Sequence, residues 1–127
     1  MPPDPRDIKL LWDMHSAGTT AAGFIEGQTF EQFSTDVMLK LAIERSIEIV
    51  GEAARHVSPE GRAQLPMIPW GAIVATRHIL AHDYDDIDQA KIWRIASVHL
   101  PELVAAIRPI LDANPPGPEA SKPLDEP

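Results

Sequence analysis

Arg77, His82 and Tyr84 stand in the run Arg-His-Ile-Leu-Ala-His-Asp-Tyr, residues 77–84. Arginine holds a phosphate through two parallel hydrogen bonds and keeps its charge near neutral pH. Histidine takes or gives a proton in the same range. A permanent cation beside a titrating imidazole is a minimal toolkit for breaking a phosphodiester without a metal. Tyr84 is the only tyrosine of the chain.

Plainer readings exist for each residue. Arg77 is also a candidate structural arginine, its stem packed and its head on Glu48 or Glu52. His82 also suits the C-terminus of a helix, where the dipole favours a cation. Tyr84 fits a core or interface aromatic. His78 and His82 have the i, i+4 spacing of zinc ligands, but no His-Glu-x-x-His pattern or third ligand accompanies them. Asp83, Asp85, Asp86 and Asp88 lack the glycine and terminal glutamate of a calcium loop, and read as a solvated turn with Asp88 as an N-cap. Glu44, Glu48 and Glu52 form an acidic stripe at helical spacing, read first as a solvated face. No Gly-rich phosphate loop or nucleophile elbow is present.

The elements that must position these residues read as all-α. A first helix is expected from about Pro5 to Phe24, with Ile8, Leu11, Trp12 and His15 on one side and Gly27 ending the region. A connector follows, with a helical turn around Phe30 and Phe33. The longest helix is expected from about Ser34 to Arg55, with Leu39, Ile43, Ile47, Val50 and Ala54 as its apolar line. Ser58-Pro59-Glu60 is a helix start: a capping serine, proline at the first helical position, then an acid. Pro69 opens the helix that carries the chemistry, about Pro69 to His82. A last helix spans about Asp88 to Asp112, kinked or split by Pro101. Residues 1–113 form the expected bundle of four to five up-and-down helices. Residues 114–127, rich in proline and polar groups, are expected to be disordered.

The chain has 127 residues, enough for one domain with a single core. It has no cysteine, which excludes disulfides and thiolate metal sites. No signal pattern or membrane span is visible, and a cytoplasmic location is expected. The net charge is −8. Phosphate contacts dominate nucleic-acid affinity, so an acidic body should not coat RNA or DNA unselectively. A local cationic site remains compatible with it.

On a helical wheel Trp70, Ile73, Val74, Leu80 and Ala81 share one arc, with Arg77 near its middle and Tyr84 close to Arg77. His82 falls roughly 140° from Arg77, nearer to His78. Two arrangements bring Arg77 and His82 together. Either the helix loosens near His82, or two copies of the helix meet and line one cleft. The second is preferred, because an apolar arc that contains a charge is often buried against a partner.

At these residues the chain resembles the HepT-like toxins of the HEPN superfamily, whose signature is Arg-x4-His-x-Tyr. The segments Ile47-Glu48-Ile49-Val50-Gly51-Glu52-Ala53-Ala54, Ser58-Pro59-Glu60, Ile68-Pro69-Trp70, Ile92-Trp93 and Leu100-Pro101-Glu102-Leu103 extend the likeness over roughly Asp7 to Leu111. His78 stands where the family often has asparagine, which makes it a candidate auxiliary residue. The resemblance implies a HEPN-type bundle, a homodimer and a metal-independent endoribonuclease that needs no cofactor. Arg77 and His82 would be its catalytic pair. It further implies a type VII-like toxin-antitoxin pair, in which a minimal nucleotidyltransferase adds AMP to Tyr84 and so blocks RNA. RNA supplies its own 2′-hydroxyl nucleophile. On that reading one His82 removes the 2′-hydroxyl proton, a second protonates the leaving 5′-oxygen, and Arg77 stabilises the phosphate. The rival reading is a non-catalytic helical or nucleotide-binding partner of the nucleotidyltransferase, which the acidic charge favours.

Overall fold

The computed structural model describes residues 3–82 and 87–115. Every regular element among them is helical. α1 spans Pro5–Ile25, α2 Phe30–Thr35, α3 Val37–His56, α4 Pro59–Ala63 and α5 Trp70–His82. α6 spans Gln89–Arg94, a π-helical turn Ile95–His99, and α7 Leu100–Ala113. α3 is central, packing on α1 and on α5, and α7 lies against α1. The fold is all-α, with four long helical stretches and two short helices. No described helix is long and apolar enough to cross a membrane.

Local chemistry sets the boundaries. Asp4 caps α1, its side chain accepting from the Arg6 N–H. Gly27 turns the chain after α1 with φ of 75°, a conformation that glycine adopts without steric cost. Thr29 and Gln32 form a reciprocal capping box, so α2 is a helix in its own right rather than a turn. Asp36 then caps α3 through the Leu39 N–H, which starts the long helix at Val37 and not near Ser34. Ser58 caps α4 as its sequence demands, accepting from the Gly61 N–H at 3.0 Å. Asp88 caps α6 through the Ala90 and Lys91 N–H groups.

Pro101 splits the last helix, but the chain does not leave the helical path. Proline has no N–H, and its ring crowds the carbonyl four residues back. The turn before it widens instead. The Leu100 N–H reaches the Ile95 carbonyl, five residues back, which is the π pattern. Pro109 sits inside α7 without ending it.

The core is one cluster. Ile43, Ile47, Val50 and Ala54 of α3 are buried, as their period requires. On α1 the buried line is Leu11, Met14, Ala17, Gly18 and Ala21; Ile8, Trp12 and His15 lie half-buried at its edge. Each fully buried large apolar side chain contributes about 1.5–3 kcal/mol. Gly18 lets α1 approach α7: a Cβ there would lie 2.8 Å from a Val104 methyl carbon. Phe30, Phe33 and Trp93 form an aromatic cluster that ties α2 to α6. The bundle reaches Asn114, whose carbonyl accepts from the Trp12 indole at 3.2 Å. The remainder of the Pro-rich tail, from residue 116, lies outside the described residues.

Candidate active site

α5 is set in place at its start. Trp70 is buried, and its indole N–H donates to the Leu65 carbonyl at 3.1 Å. The Arg62 guanidinium lies over the Trp70 ring, 5.5 Å from its centre, and donates to the Ala54 carbonyl near the end of α3. One corner thereby joins the end of α3, α4 and the start of α5.

Further along, α5 meets α3 at Gly51. A Cβ at Gly51 would fall 2.2 Å from the Cβ of Arg77 and 2.8 Å from its Cγ. Only a residue without a side chain allows that approach. The stem of Arg77 therefore lies flat on α3, and its head reaches Glu52, with Nη2 3.2 Å from Oε2. The pair is close but not aligned as a hydrogen bond, and Oε2 has no hydrogen-bond partner among the described residues. The other oxygen, Oε1, faces the His56 Nε2 at 3.1 Å and Arg55 at 4.0 Å. The His56 hydrogen bond, with the charges of Arg55 and Arg77, holds the Glu52 carboxyl below the usual range. Of the two glutamates open to Arg77 in the sequence, Glu52 is the one it meets. With side-chain exposures of 27% and 43%, the pair belongs to the class worth about 0–1 kcal/mol. Its consequence is orientation of the guanidinium rather than stability.

His82 is the last residue of α5 and is exposed. The helix is continuous from Arg77 to His82, so it does not loosen to bring them together. Arg77 faces α3 while His82 points away, as the ~140° wheel separation requires. His78 accompanies His82 rather than Arg77: the two rings lie 4.6 Å apart, centre to centre. No group of three or more His, Asp or Glu suited to a metal occurs among the described residues. Tyr84 and most of the acidic turn lie outside them.

Two hollows flank this helix pair. A mostly apolar groove of about 740 Å³ runs beside α5, lined by Ala72, Thr76 and Ile79 and, across it, by Ile95, Leu103 and Ala106. A smaller pocket of about 240 Å³ opens between the first half of α3 and the start of α6. Glu44 lines it and is only 6% exposed. Burial pushes the Glu44 carboxyl up, against smaller opposing pulls from Gln89 and Lys40. Residue spacing alone does not reveal this pocket, because Gln89 and Glu44 meet only through the packing of α6 on the bundle.

An exposed histidine and an anchored guanidinium thus share one helix of an all-α bundle. The comparisons name the family. Residues 14–110 match the family "Ribonuclease HepT-like", and the chain belongs to it. "Putative RNase MJ1380" of Methanocaldococcus jannaschii is 31% identical over 99 residues, covering 77% of this chain and 91% of that protein. "Putative RNase TTE0752" of Caldanaerobacter subterraneus is 34% identical over 87 residues, covering 68% and 78%. "Probable ribonuclease HepT" of Thermococcus cleftensis is 31% identical over 74 residues, covering 58% and 67%. No solved structure matches significantly.

Proposed function

We propose that this protein is a metal-independent endoribonuclease that works as a homodimer, with Arg77 and His82 as its catalytic pair. The observation that carries the reading is the placement of both residues on α5, one anchored and one exposed, inside the span that matches the ribonuclease family. Arg77 stabilises the charge that builds on the phosphate. His82 of one protomer takes the 2′-hydroxyl proton, and the second His82 protonates the leaving 5′-oxygen. The products are a 2′,3′-cyclic phosphate and a 5′-hydroxyl.

The apolar groove beside α5 supports the dimer. Ile79 on its wall and His82 are about 60° apart on the wheel, so a second copy seated there brings its own α5 near His82. In this reading the protein is the toxin of a type VII-like pair in the cytoplasm. A minimal nucleotidyltransferase is its antitoxin, and AMP added to Tyr84 sets negative charge against incoming RNA.

The test is RNA cleavage by the purified protein, shown by mass to be unmodified, in EDTA beside His82→Ala. Cleavage that survives EDTA and falls about 10²–10⁴-fold in the variant is expected. No cleavage by the unmodified protein, or full activity in His82→Ala, overturns the assignment.

A further inference from the structure

The pocket between α3 and α6 has no part in the mechanism above. Its walls are Val37, Lys40, Leu41 and Glu44 from α3, with Ile87 just before α6 and Gln89 at its start. Val37 and Leu41 are large apolar residues left 63% and 50% exposed. They form an uncovered apolar ledge at its rim. Beneath it lie a buried carboxyl and one acceptor without a donor. Glu44 is buried and takes a hydrogen bond from the Gln89 side chain, whose own Oε1 is buried without a hydrogen-bond partner among the described residues. Such an atom costs roughly 1–3 kcal/mol when left unsatisfied. Lys40, one turn before Glu44, adds a donor on the same face.

The volume of about 240 Å³ equals roughly eight waters at ~30 Å³ each. That space suits one flat heterocycle. Unstacked bases are read at their Watson–Crick edges and held between apolar side chains. The edges differ in a way that decides between them. Guanine alone offers two adjacent donors, N1–H and N2–H, beside a carbonyl acceptor. Adenine, cytosine and uracil each mix or lack donors at those places. A carboxylate accepts two parallel N–H bonds, the amide oxygen takes a further one, and an ammonium meets the carbonyl.

We propose that this pocket is a guanine-binding subsite, with Glu44 and Gln89 reading the donor edge of the base and Lys40 its carbonyl oxygen. The proposal deepens the ribonuclease reading and rests on it for the identity of the substrate as RNA. Glu44 lies eight residues from Glu52 on α3, about 12 Å along the axis at ~1.5 Å per residue. The subsite would therefore hold a base beyond the cut and place a guanine at a set distance from it. Burial disfavours the charged form of Glu44 more than the Gln89 hydrogen bond and the Lys40 charge favour it, and N–H donors from a base would add to those two partners.

Nucleosides test this without engaging Arg77, because they carry no phosphate. The full chain is titrated with guanosine, adenosine, cytidine and uridine while the Gln89 side-chain amide resonance is followed by NMR. Guanosine is expected to move that resonance and to bind about 10-fold more tightly than the others. Glu44→Gln keeps the shape of the side chain and should erase the preference. Lys40→Met, on a half-exposed side chain, should weaken it and serves as a second variant if the first does not fold. Equal binding of all four nucleosides, shifts away from the pocket, or an intact preference in both variants overturns the proposal. Guanosine binding by a protein that leaves RNA whole would keep the subsite and remove the ribonuclease reading. RNA cleavage with no guanosine preference would do the reverse.

Discussion

The geometry of Arg77 depends on a residue with no side chain. Gly51 lets the arginine stem lie on α3, and Glu52 then receives the head. Gly51→Ala would place a Cβ 2.2 Å from the Arg77 Cβ, so one helix must move. Overpacking of this kind costs about 1–3 kcal/mol. It should also lower cleavage, because a small misplacement of a positioned group costs up to about 100-fold. A thermal melt and a cleavage assay on the same sample check both effects. A stable variant with full activity would show that the Gly51 contact does not set the guanidinium. Arg77→Lys should fail in the same assay, since lysine cannot reproduce the planar fork. Glu52 itself is exposed enough that its ion pair adds little stability, so its replacement should act on the arginine's orientation and not on the melt.

At the scale of elements, the ends of helices were the most legible part of the chain. Ser58-Pro59-Glu60 and Asp88 announce caps by residue type alone, and both caps form. The Pro101 break was legible too, but its form was not, because widening a turn depends on how the neighbouring helices hold the carbonyls. Asp7 shows the limit. It looks like an ordinary acid in a first turn, yet it is only 4% exposed. Its carboxylate accepts from the Ser58 backbone N–H at 2.9 Å and from the Ser58 hydroxyl, joining α1 to α4 across 51 residues. Gly61 makes room for it. Periodicity cannot show such a contact, since it says which face is buried and not what meets it. For the same reason it left Arg77 between Glu48 and Glu52, and gave no sign of the Glu44 pocket. Asp7→Ala should cost about 1–3 kcal/mol by leaving the Ser58 N–H unsatisfied. For a domain of this size that lowers Tm by roughly 4–12 °C. An unchanged melt would mean that Ser58 caps α4 without help.

On the scale of the whole molecule, a chain with net charge −8 must attract RNA through a local site. Within one chain, Arg77 lies on α3 and His82 faces away. In the proposed dimer, two protomers meeting along α5 would bring both residues to one cleft, and in a way that activity can count. If one cleft needs both copies of His82, one as base and one as acid, a dimer with a single intact histidine should be nearly inactive. Wild-type protein and His82→Ala are mixed at varied ratios, unfolded together and refolded so that protomers exchange at random. Cleavage should then fall as the square of the wild-type fraction, with mass measurement confirming mixed dimers. A linear fall would mean that each protomer cuts alone, and the shared-cleft mechanism would have to be abandoned. The square law also separates the two jobs of the histidine from a purely structural role, because a variant that only weakened folding would lower the melt of the mixture as it lowered the rate.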